Sequence, residues 1–180
     1  MITDGTLSSL NAVLKKLYSD SYVFDGISCA FKEAGHKGFA AFASYEARER
    51  WHYGRKIKYY IEKFGKKPVL PALPEPSTTF NNPADAVNIM VSSDKSTVSM
   101  LYNGTKAAAG AGDHYAVKCM NKIYGKMLHE HMETSNVMKQ LQAVSGTPGD
   151  VLMLDEHLYH EYHDKHMKYR HDHDHEHYKE

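Results

Sequence analysis

Glu49 and His52 stand three residues apart, a spacing that sets a carboxylate and an imidazole on one helical flank where both can reach a transition metal. Further along, His129, Glu130 and Glu133 offer the same ligand types on a second flank. The C-terminal stretch is denser still. His157, His160, His163 and His166 recur every third residue, and His171, His173, His175 and His177 then alternate with acids. Imidazole and carboxylate at that density bind divalent transition metals, and interleaved acids offset the charge of bound cations. A purification tag does not alternate with aspartate. The competing reading is a soluble tail with incidental metal affinity.

The segment that must position Glu49 and His52 is Gly38–Gly65, which holds no proline and no internal break apart from Gly54. On a wheel turning about 100° per residue, Phe39, Ala43, Ile57, Tyr60, Ile61 and Phe64 share one side. Glu46, Arg50 and Tyr53 point into that apolar stripe, Glu49 lies on its edge, and His52 lies off it on the flank of Glu49. Isolated buried charges are too costly, so Glu46 and Arg50 demand partners from other helices.

The rest of the chain supplies those helices. Thr6–Ala34 reads as a first helix, capped by Thr6 or Ser8 and ended by Gly35, with Leu7, Leu10, Leu14, Leu17, Val23 and Ile27 inward. Lys66–Pro83 carries Pro68, Pro71, Pro74, Pro76 and Pro83 and cannot be helical. Extended, it can run the length of a long helix. A third helix follows over Pro83–Ala109 with Asp94 in its inward stripe, then a fourth from Asp113 to about Val144 with Glu130 at its stripe edge. After the turn Ser145–Asp150, a short fifth helix covers DVLMLDEHLYHEYH. The expected fold is all-α: an up-down-down-up four-helix bundle with one long crossover and a short C-terminal helix.

Basic and acidic side chains balance at 22 each, so no global charge steers the chain to nucleic acid or acidic lipid. Cys29 and Cys119 are too few for a disulfide framework. No apolar run reaches membrane-spanning length, and the N-terminus has no signal-peptide pattern, so a cytoplasmic protein without membrane partners is expected.

Three stretches carry a family resemblance. LNAVLKKLYSDSYVF resembles the first helix of bacterial non-haem ferritins, EARERWHYGRKIKYYIEKFGKKP their second helix with its Gly-x-x-Pro stop, and SGTPGDVLMLDEHL their final turn and fifth helix. The likeness runs without gaps from about Ser8 to Leu158. It implies a ferritin-like domain over 1–165, a His/Asp-rich tail over 166–180, and a hollow homo-oligomer of 24 subunits. It also implies iron as cargo, oxygen or peroxide as oxidant, and the second and fourth helices facing the cavity.

The departures matter more. In ferritins, carboxylates and a Glu-x-x-His converge inside the bundle as a di-iron site. In the ungapped register Leu17 replaces the first-helix glutamate, Arg50 and Tyr53 take the Glu and His positions, Met127 replaces a glutamine, and Phe24 a neighbouring tyrosine. Only Asp94 and Glu130 survive. Sliding the register to make Glu49 and His52 that pair would turn Arg50 and Tyr53 away from the stripe of Ile57 and Ile61, so the ungapped register is preferred. Arg50 is then expected to sit where iron would have sat, facing Asp94, Glu130 and Glu46.

The resemblance extends inner-surface acids to Glu49, Glu130 and the His129 position, while His52 and Glu133 are added on spacing alone. Together these five form an expected open iron site on the inner wall, with slow Fe2+ oxidation resting on Glu49, His129 and Glu130. Asp94 and Glu46 complete the candidate metal ligands, and other divalent metals are expected at the histidine tail. The alternatives are a solvated polar face, a cage that mineralises iron without catalysis, or a Dps-like DNA protector. The neutral charge, the lack of a basic tail and the fifth helix weigh against the last.

Overall fold

In a computed structural model, residues 2–144 and 146–176 are described, with backbone alone at 166, 167 and 169–176. Five helices follow in order: α1 Asp4–Glu33, α2 Lys37–Lys63, α3 Pro83–Gly110, α4 His114–Val144 and α5 Pro148–Glu176. There is no strand among the described residues, and no helix among them is long and apolar enough to cross a membrane.

Local chemistry sets the helix ends. Thr3 starts α1, ahead of the expected Thr6 or Ser8, because its hydroxyl oxygen accepts the Thr6 N–H at 3.2 Å. Asn82 caps α3 by accepting the Asp85 N–H at 2.9 Å, with Pro83 at the first helical position. Asp113 caps α4 by accepting from Ala116 N–H at 3.0 Å. Gly35, Gly65 and Gly112 take positive φ where α1, α2 and α3 stop, a conformation that costs glycine little. Gly54 breaks nothing. A Cβ there would lie 2.4 Å from the Tyr18 ring, which stacks on Trp51.

The short α1–α2 turn makes those helices antiparallel. The strap over 64–82 then runs back along α1. Val69 N–H donates to Asn11 Oδ1 at 2.9 Å, and Pro76 passes so close to Gly26 that a Cβ on that glycine would sit 2.8 Å away. Seven extended residues cover about 23 Å, and the fifteen helical residues from Asn11 to Gly26 cover about 22 Å, so strap and helix keep pace. α3 therefore begins beside the end of α1 and descends against it. At this α1–α3 seam buried Asp20 accepts from Lys16 and Ser93 at 2.5 Å and from Thr97 at 2.8 Å. α4 returns, and the bundle is up-down-down-up, as the sequence predicts.

Two apolar clusters fill the bundle. One gathers Leu10, Leu14, Leu17, Tyr53, Ile57, Ile61, Leu101, Met120 and Met127. The other gathers Phe24, Ile27, Phe39, Phe42, Val87, Met90, Val137, Leu141, Leu158 and Tyr162. Where they meet lies a charged layer of Glu46, Arg50, Asp94 and Glu130.

α5 is longer than the segment ending at His163 that the sequence marks out, and its backbone crosses the expected 165/166 boundary as continuous helix. It docks on the start of α2. Asp155 accepts the Phe39 N–H at 2.9 Å, supplying a cap that α2 lacks locally. Gly38 lets α5 approach, for a Cβ there would meet the Asp155 carbonyl oxygen at 1.6 Å. Leu158 and Tyr162 are buried beneath it, the Tyr162 ring 5.1 Å from Phe42 and 5.5 Å from Tyr45.

Candidate metal centre

Arg50 lies at the heart of the charged layer and is fully buried. Its Nη1 donates to the Glu46 carboxylate one turn back and, at 2.8 Å, to the Glu46 carbonyl oxygen. Its Nη2 donates to Asp94 Oδ1 at 2.5 Å, and the second Asp94 oxygen accepts from Thr134 Oγ1 at 2.8 Å. The guanidinium carbon stands 4.7 Å from the Phe24 ring centroid, a cation–π contact that replaces lost hydration. Burial works against the charge on Arg50, but Asp94 and then Glu46 outweigh it and hold the group protonated. Thr134 was not singled out from the sequence, although it lies one turn beyond Glu130 on the same face.

Glu130 turns elsewhere than expected. Its Oε1 lies 3.2 Å from the Tyr53 hydroxyl, which donates to Glu49 Oε2 at 2.7 Å. A hydroxyl has one proton to give, so a proton on Glu130 would make the second contact a donation to Tyr53. Burial first, then Glu49 and Glu133, push the Glu130 carboxyl up, against the pull of Arg50. Burial also drives Glu46 well above the carboxylate range, with Arg50 opposing and Glu130 and Asp94 reinforcing.

Three polar atoms of this layer find no hydrogen-bond partner: Glu46 Oε1, Glu130 Oε2 and Arg50 Nε. One carboxylate oxygen each from Glu46, Glu130 and Glu133 lie within 4.8 Å of one another. Three hard oxygen donors gathered in this way are of the type that could close on a small divalent cation such as Fe2+ or Mn2+. Glu133 is half-buried at the outer side of the group. Lys165 Nζ reaches its Oε1 at 3.1 Å and Glu161 at 3.0 Å, and the ammonium stands 4.3 Å from the Tyr162 ring centroid. Lys165 also went unnoticed in the sequence. Its signal was the run Asp155, Leu158, Tyr162, Lys165, one face of a helix continuing past His163.

The other sequence candidates scatter around this group. His129 is two-thirds exposed, its Nε2 3.5 Å from Glu133 Oε1. Glu49 is buried and linked through Tyr53. His52 is half-buried and lines a separate groove beside Arg55 and Lys56. On α5, His157 is exposed with Nε2 3.9 Å from Glu161, His160 is exposed, and His163 lies 3.8 Å from Asp164. The side chains of His166, His171, His173 and His175, and the whole of His177, lie outside the described residues.

Known proteins supply the comparison. The Ferritin-like domain family matches residues 7–144. A bacterial non-heme ferritin of Staphylococcus haemolyticus is 22% identical over 130 residues, 72% of this chain and 78% of the relative. One of Staphylococcus epidermidis is 20% identical over the same shares. An open pore ferritin from the hyperthermophilic archaeon Archaeoglobus fulgidus superposes with a TM-score of 0.84 at 16% identity, covering 88% of this chain and 98% of that one. A humanized archaeal ferritin gives 0.84 at 15% identity, with 88% and 96% covered.

Proposed function

The chain belongs to the ferritin family, and on that premise we propose that it stores iron in a hollow homo-oligomeric cage, of 24 subunits by family resemblance, and oxidises Fe2+ slowly at inner-wall carboxylates. One observation carries the reading. The middle of the bundle is filled by Arg50 with Asp94 and Glu46, while Glu46 and Glu130 each keep an unpartnered carboxylate oxygen, and one oxygen of each comes within 4.8 Å of Glu133 between α2 and α4.

Fe2+ is the substrate here. Glu130 and Glu133, with Glu46, would hold it, Glu49 would hold Glu130 in place through Tyr53, and His129 would add imidazole at the margin, while His52 lies apart in the groove beside Arg55 and Lys56. Burial raises the proton affinity of Glu46 and Glu130, so any proton held there would leave as the cation binds. Each Fe2+ then gives one electron to oxygen or peroxide from solution, and the Fe3+ moves into the stored mineral. Turnover is slow because Glu133 is half-exposed and His129 largely so, leaving few ligands preorganised. The histidines from His157 to His177 would form a second, lower-specificity sink for iron and other divalent transition metals. A cytoplasmic location follows the same family reasoning.

The test is oxygen uptake after Fe2+ addition to wild type, to Glu49→Gln/His129→Ala, and to Glu130→Gln/Glu133→Gln. Both variants are expected to lose about tenfold or more of the initial rate. Equal rates in all three would remove the oxidation site and leave a cage that gathers iron without catalysing its oxidation. Native mass measurement with iron content checks the cage itself.

A further inference from the structure

The same α2–α4 face that bears the carboxylates carries an opposite charge further along. A groove of about 1110 Å3 opens between the second half of α2 and the first half of α4. Arg55, Lys56, Lys58 and Lys63 line it from α2, and Lys118 and Lys122 from α4. Glu62 is the one carboxylate among the lining residues, and Lys58 already pairs with it at 2.7 Å. Cys119, also in the lining, adds no negative charge, since burial pushes its thiol up to about 11. The chain as a whole carries no net charge, so this excess of cations is a local segregation rather than a general basicity.

We infer that this groove binds a linear multi-phosphate anion. Ammonium and guanidinium groups make charge-assisted hydrogen bonds to phosphate oxygens. A concave wall of one sign focuses the field on whatever enters. The spread of the cations sets the length of the ligand. Arg55 to Lys63 covers about 12 Å of helix and Lys118 to Lys122 about 6 Å. A single phosphate touches only two or three of these groups at once, whereas a row of phosphates can follow the line of cations along a wall. Tyr59 and Tyr115 are exposed in the same groove and offer rings on which a base could stack. The multi-phosphate could therefore be an inorganic polyphosphate or the tail of a nucleotide. The groove's cations begin about two turns along each helix from Glu46 and Glu130, and its lining includes none of Glu46, Glu130 and Glu133, so the inference stands apart from the oxidation site.

Equilibrium dialysis of the iron-free full-length protein against inorganic phosphate, inorganic triphosphate and ATP tests it. Triphosphate is expected to bind at least about tenfold more tightly than phosphate, and to weaken severalfold when salt rises from about 50 to about 200 mM. Lys118→Glu/Lys122→Glu is expected to lose about tenfold or more of that affinity, and Arg55→Glu/Lys63→Glu provides an independent second pair at exposed positions. ATP binding above triphosphate identifies a nucleotide, and equal binding identifies polyphosphate. The inference is overturned if triphosphate binds no better than phosphate, if both variants keep wild-type affinity, or if a single-stranded oligonucleotide displaces triphosphate at equal phosphate concentration, which would mark a nucleic-acid surface. Iron loading of the same variants is measured alongside. Variants that lose triphosphate and still load iron leave the storage reading untouched, and the converse leaves this one.

Discussion

Replacing Arg50 with methionine probes the charged layer where it is most tightly knit. The guanidinium is fully buried, bonded to Glu46 and Asp94, and stacked on Phe24. Removing one partner from a buried ion pair costs about 3–5 kcal/mol, because the carboxylates left behind have neither water nor counter-charge. Loss of the cation–π contact adds about 1 kcal/mol, and the flexible methionine returns some packing. A net loss of about 3–5 kcal/mol is expected, a large share of the roughly 5–15 kcal/mol that holds most domains together. Urea unfolding at matched protein concentration should show a midpoint lower by about 1–2 M. The deficit should also depend on pH. Glu46 and Glu130 already stand above their unfolded values of about 4.3, and loss of Arg50 raises them further. Groups with raised folded values favour the native state below the unfolded value and lose that contribution as pH rises through the folded one. The variant is therefore closest to wild type near about pH 4 and falls away towards neutrality. An Arg50→Met protein as stable as wild type, with the same pH profile, would refute the whole account of the layer.

Two further outcomes follow from α5. Lys165→Gln removes the ammonium that lies 3.1 Å from Glu133 and is expected to tighten Mn2+ binding at the carboxylate group by roughly threefold to tenfold, read by electron paramagnetic resonance titration; unchanged affinity would mean Lys165 does not compete for the site. Gly38→Ala forces a methyl group towards the Asp155 carbonyl oxygen, 1.6 Å from the ideal Cβ position, so α5 must lift. Faster amide exchange throughout α5 and proteolytic cleavage near Gly146–Gly149 are expected with the other helices intact, and an exchange pattern like wild type would count against the docking described.

The bundle was legible because its signals are local. Apolar residues at helical spacing, glycine stops and a proline-rich strap each act within a few turns, and the strap's length already implied a crossover. The ion pair was legible too, since a wheel places Glu46, Arg50 and Asp94 in apolar stripes where each needs an opposite charge. What stayed hidden depends on register between helices. Nothing near Glu130 in sequence tells that it meets Tyr53 instead of Arg50, or that Glu133 belongs with Glu46 and not with His52. The length of α5 was missed for another reason. Beyond His163 its apolar stripe fades, but helix needs no core where acid–base neighbours such as Glu161 and Lys165 at 3.0 Å support it.

The cap on α2 has a consequence for how this protein is made. The carboxylate that closes the start of the second helix comes from Asp155, 116 positions later in the chain. At about 5–20 residues per second, translation leaves that helix open-ended for about 6–23 s. During that interval the Phe39 amide can be satisfied only by solvent or by a foreign acceptor such as a chaperone. A polypeptide interrupted before Asp155 stays frayed there, which gives the cell a chemical difference between finished and unfinished copies.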